Sequence, residues 1–116
     1  MYIYRLQILS SKSCSEEQLN NIIGVSSNFL YANWGIEIIQ SGENFSEILV
    51  YFLSLLEGKY EKLESIGISR ENISIWILYE YEGQCNMEYD PESMKKLGES
   101  GILLCISCWE KEGEVS

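Results

Sequence analysis

Residues 73–81, ISIWILYEY, put Ile73, Ile75, Ile77, Tyr79 and Tyr81 on one side of an extended chain and Ser74, Trp76, Leu78 and Glu80 on the other. The centre of the segment is apolar on both sides. A strand of this kind belongs in the middle of a sheet with cover on both faces. The rest of the chain has to supply neighbouring strands and at least one layer of helices.

Three further stretches have strand character. YIYRLQILS at the start alternates, with Tyr2, Tyr4, Leu6 and Ile8 opposite Ile3, Arg5 and Gln7. NWGIEIIQ sets Trp34, Ile36 and Ile38 against Glu37 and Ile39, and ILLCISCWE reads as a buried last strand. Between them lie capped helices. SEEQLNNIIG has Ser15 as N-cap, Gln18 three positions on and Gly24 as the stop. Asn44 with Glu47 suggests a capping pair for a long helix over 44–66, with Phe45, Ile48, Leu49, Phe52, Leu55 and Leu56 on one stripe and Gly58 as a weak point. Asp90, Pro91 and Glu92 mark a third helix start, with Met94 and Leu97 facing inward.

Strand, capped helix and strand thus occur twice, on either side of the long helix. The expected fold class is α+β: a ferredoxin-like arrangement of two βαβ units in a four-stranded, mainly antiparallel sheet, with the long helix inserted between them. At 116 residues the chain makes one domain, expected over 1–110, with 111–116 as a frayed tail.

Composition narrows the function classes. Eighteen acids against 8 bases give a net charge of -10, which argues against direct binding to nucleic acid or to an anionic membrane and makes a basic protein the natural partner. There is no histidine, so the commonest general base, metal ligand and triad member is missing. Asp90 is the one aspartate, which excludes an Asp-built calcium loop, and the isolated glycines make no phosphate loop. Glu16 with Glu17 and Glu61 with Glu64 fall on polar helix faces, where nothing would raise a carboxylate pKa for acid–base work. No catalytic residues and no cofactor are expected. The start has neither a basic nor an apolar leader and no stretch is long enough to span a bilayer, so a cytoplasmic location is expected. Cys105 and Cys108, in CISC, point to opposite faces of a strand and cannot share an ion, so they read with Cys14 and Cys85 as free thiols and not as a metal site.

The chain resembles a bacterial family known as domain of unknown function 4279. The likeness rests on the SEEQLNNIIGV helix with its terminal glycine, the NWGIEI strand entry after an irregular loop, the FSEILVYFLSLLEGKYEKLESI helix and the DPESMKKLGESGILLCISCW close. These cover most of the length. The family pattern has a proline after the first helix and a lysine–glycine pair further on, where this chain has Ser26 and no such pair. The resemblance implies an α+β domain without an established enzymatic activity, some of whose members resemble immunity proteins of bacterial toxin systems.

Two candidate surfaces stand out. Residues 80–92, EYEGQCNMEYDPE, hold five acids and no base, and Glu80, Tyr81, Glu82, Met87, Glu88, Tyr89, Asp90 and Glu92 are the expected partner-binding residues. Asp90 and Glu92 are equally well explained as a helix start. The second is an apolar sheet face carrying Trp76, Leu78, Leu103 and Trp109 together with Ile3, Ile39 and Cys105, which the long helix is expected to cover, with a homodimer seam or a ligand groove as alternatives. The expected function is a non-catalytic acidic domain that neutralises a toxin enzyme by occluding its basic surface. A small-molecule sensor with an apolar pocket between sheet and long helix is the alternative; an acidic mimic of DNA is a third reading.

Overall fold

The structure, a computed structural model, describes residues 1–11, 14–29 and 31–111. Eight elements follow one another: β1 (Tyr2–Ile8), α1 (Glu16–Ile23), β2 (Trp34–Gln40), α2 (Phe45–Leu56), α3 (Tyr60–Ser65), β3 (Ile73–Tyr81), α4 (Pro91–Ser100) and β4 (Leu103–Glu110), with a single 3-10 turn at Arg70–Asn72. The fold is α+β, built on one mixed four-stranded sheet in the order β2-β1-β3-β4.

This order departs from the ferredoxin-like expectation. β1 pairs antiparallel with both β2 and β3, and only β3 and β4 run parallel. The first strand–helix–strand stretch is therefore a wide hairpin: Ile8 lies opposite Trp34, and the Asn33 amide donates to the Ile8 carbonyl at 3.0 Å. The second is a true parallel βαβ unit, for which α4 supplies the crossover that parallel neighbours require.

The alternation of the strands decides what is buried. Tyr4, Leu6 and Ile8 of β1, Trp34 and Ile36 of β2, and Ile73, Ile75 and Ile77 of β3 point to one face and form a single core with Leu19 and Ile23 of α1, Leu49, Phe52 and Leu56 of α2, and Leu63 of α3. Each such fully buried side chain contributes about 1.5–3 kcal/mol. The Trp34 indole donates to the Asn20 side chain at 2.9 Å, which satisfies the one polar atom that its burial would strand.

The long helix is two helices. Gly58, at φ +76, takes a left-handed conformation that ends α2, and α3 restarts at Tyr60. The start of α2 also differs from expectation: Asn44 makes no side-chain cap, and instead Glu43 Oε1 accepts from the Phe45 amide at 2.6 Å. In α4 the inward residue is Ser93, with Leu97 half-buried, whereas Met94 is 54% exposed. Ser93 is drawn inward by two hydrogen bonds to the Asp90 cap.

All of the helical core contacts lie on one face, so α2 does not cover the other. Trp76 and Leu78 are half-buried there, while Leu103 is 65% and Trp109 38% exposed. At the β2 end Phe29 folds over Gly35, with the Arg5 guanidinium 4.4 Å from its ring centroid and 2.5 Å from Glu37. The two sheet edges are treated differently. Asn28 hydrogen-bonds Gly35 and Glu37 along the edge of β2. β4, expected as a buried strand, is instead the opposite edge and is largely exposed. Lys111, expected in the frayed tail, donates its amide to the Tyr81 carbonyl at 2.6 Å, and the rest of that tail lies outside the described residues.

Candidate functional site

The structure divides the expected partner surface. Glu80 points to the helix-free face, where its carboxylate accepts from the Trp109 indole at 3.1 Å. Tyr81 is on the helix side with its ring centroid 6.2 Å from that of Tyr79, and Glu82 is 3.4 Å from the Lys111 ammonium. These three are not part of one cluster with the rest.

Met87, Glu88 and Tyr89 do converge. The loop that carries them turns back over the helix side of the sheet, so Met87 and Tyr89 pack against the core. The Tyr89 ring meets Phe45 edge-on at 5.4 Å, and its hydroxyl donates to Met87 Sδ at 3.8 Å. Between this loop, the start of α2 and the ends of β1 and β3 lies a pocket of about 220 Å³, lined by Tyr2, Tyr4, Phe45, Ile77, Met87 and Tyr89 with Glu43, Asn86 and Glu88. Asp90 and Glu92 continue the concavity past Ser46 and Glu47 toward Lys96.

Sequence reasoning missed Tyr2, Tyr4 and Glu43. Tyr2 stacks on Tyr79 with ring centroids 4.3 Å apart, and Tyr4 lies parallel to Tyr2 at 6.0 Å. Tyrosines at core-facing positions near a strand end were the available signal, since a phenol has to find a polar partner or a cavity. Tyr4 finds one by accepting from the Asn44 amide at 2.9 Å.

The electrostatics of this corner are negative. Burial pushes the Tyr2 phenol up to about 12, with a hydrogen bond to Tyr79 and the charge of Glu43 adding to it. Tyr4 and Tyr89 are raised for the same first reason, and Glu43 contributes to both. Asp90 is lowered by the hydrogen bonds from Ser93 and, less, by Lys96. Among the described residues that line the concavity, the carboxylates of Glu43, Glu47, Glu88, Asp90 and Glu92 are joined by one base, Lys96, which lies 3.4 Å from Glu92. Glu47 and Glu88 have no ion-pair partner among the described residues.

The arrangement is suited to holding positive charge. Among the described residues no three His, Cys, Asp or Glu side chains converge as metal ligands, and no helix is long and apolar enough to cross a membrane. Cys14, Cys85, Cys105 and Cys108 are free thiols. Neither a family model, nor a curated protein, nor a solved structure matches this chain.

Proposed function

We propose that this chain is a non-catalytic acidic protein-binding domain, an immunity or inhibitor protein that neutralises a bacterial toxin enzyme in the cytoplasm by occluding a basic surface. The observation that carries the reading is the concave run of Glu43, Glu47, Glu88, Asp90 and Glu92 between the starts of α2 and α4, with aromatic rings at one end. Carboxylates gathered in a concavity steer a basic partner and fix its register, while Tyr and Met supply apolar contact at low ordering cost. The same field repels nucleic acid. The resemblance to domain of unknown function 4279 favours the immunity role over a general adaptor.

The alternative, a small-molecule sensor, has the same pocket in its favour. Its volume of about 220 Å³ is nevertheless below the roughly 300–1,000 Å³ typical of metabolite sites, which suits a protruding side chain better. A basic protein captured by the full chain and then purified tests the choice. Its association rate should fall at least tenfold, on the order expected for steered encounters, between low and high salt, and again on Glu47→Lys with Glu88→Lys. Equal rates at both salt levels, or an unaffected double variant, would refute the proposal.

A further inference from the structure

We infer that the pocket between the sheet end and the 86–89 loop is a socket for one organic cation, an alkylammonium or guanidinium head. The inference rests on the binding role proposed above and names the group that enters. Four aromatic residues, Tyr2, Tyr4, Phe45 and Tyr89, line the pocket with Glu43 and Glu88, and among the described residues no basic side chain does. Aromatic faces attract cations through their quadrupole, and the attraction grows where water is thinned out. At roughly 30 Å³ per water, a pocket of about 220 Å³ has the volume of some seven waters, enough for a trimethylammonium or guanidinium group.

The start of α2 lines the same pocket, and a helix N-terminus favours anions. Here that end is already occupied. Glu43 accepts from the Phe45 amide, the Asn44 amide goes to the Tyr4 hydroxyl, and Glu47 stands in the first turn. A helix end carries about half a positive charge, against full negative charges on Glu43 and Glu88. Burial is the first cause that raises the phenols of Tyr2, Tyr4 and Tyr89, and the charge of Glu43 adds to each in the same direction. A cation therefore gains from both walls and carboxylates, whereas an anion meets two like charges.

The head can belong to a lysine or arginine of the partner or to a free small molecule, and the experiment separates them. The full chain is titrated with choline, with its uncharged carbon isostere dimethylbutanol, and with a nona-arginine peptide, following the ring resonances of Tyr2, Tyr4 and Tyr89 by NMR. Choline and the peptide are expected to shift these resonances saturably, with dimethylbutanol about tenfold weaker. Glu43→Gln, which keeps an oxygen to accept the Phe45 amide, should weaken choline several-fold. Glu47→Gln with Glu92→Gln should weaken the peptide and spare choline. Saturable binding of choline without the peptide keeps the socket, assigns it to a free cation and removes support from the protein-binding role. If the isostere binds as well as choline, if Glu43→Gln changes nothing, or if choline fails while the peptide binds in a salt-dependent way, the socket is wrong; in the last case the groove reading survives it.

Discussion

Tyr2 and Tyr79 lie face to face across the β1–β3 pairing, with ring centroids 4.3 Å apart and planes 15° from parallel. This stack joins the first residue of β1 to the end of β3 and so forms part of the setting for the pocket that the 86–89 loop closes. The relationship is a cross-strand pair of the type that stabilises sheets, placed here beside a cavity rather than inside the core.

It carries an alkaline signature. With the Tyr2 phenol pushed up to about 12, the folded state holds its proton more tightly than the unfolded chain, whose tyrosines ionise near 10. The stability from this group is complete below about 10 and is lost as pH rises toward about 12. Melting temperatures measured across that window should fall in the wild type and fall less steeply in Tyr2→Phe. Parallel slopes for the two proteins would mean that Tyr2 is not held as described.

At the other end of the site Asp90 gives the opposite dependence. Its carboxyl is lowered from the ordinary 3.8 by the Ser93 hydrogen bonds, so its contribution is complete above that value and disappears as pH falls through the lower folded pKa. Asp90→Ala should melt below the wild type at neutral pH, with the gap closing in acid. A gap that is constant with pH would show that the cap does not depend on the carboxylate charge.

The break between α2 and α3 can be tested by one methyl group. Nothing lies within 4 Å of a Cβ built at Gly58, so packing is indifferent and only its φ of +76 matters. Gly58→Ala should destabilise the fold by about 1 kcal/mol in a denaturant titration, the cost of a left-handed alanine. Stabilisation of similar size would instead mean that one helix runs through the site.

Cys85, in the loop after β3, and Cys108, on β4, carry a chemical prediction. Burial, and then the charge and hydrogen bond of Cys108, push the Cys85 thiol above its ordinary value. Diamide, taking two electrons and two protons, should join Cys85 to Cys108 within one chain, faster as pH rises and the thiolate forms. Peptide mass mapping checks the pairing. A linkage to Cys14 or Cys105 in its place would show the loop elsewhere.

Local features were legible because they depend on near neighbours. The alternation of ISIWILYEY, the Ser15 and Asp90 caps, and Gly24 as a stop all appear as expected. Strand partners depend on distant residues, and spacing alone does not distinguish a wide hairpin from a parallel crossover, so the β1–β2 pairing departs from the expected crossover. Ser93, held by its hydrogen bond to Asp90, takes the inward position that spacing assigns to Met94. In the site, Met87, Glu88 and Tyr89 were within one readable segment. Glu43, Tyr2 and Tyr4 come from other parts of the chain and meet that segment only after folding.

Mapping amide chemical shifts of the nitrogen-labelled full chain as the nona-arginine peptide is added distinguishes the acidic concavity from the bare sheet face as the binding surface. The expected shifts concentrate at residues 43–47 and 86–92 and disappear at high salt. Shifts concentrated around Trp76, Leu78, Leu103 and Trp109, or spread evenly over the surface, would contradict it.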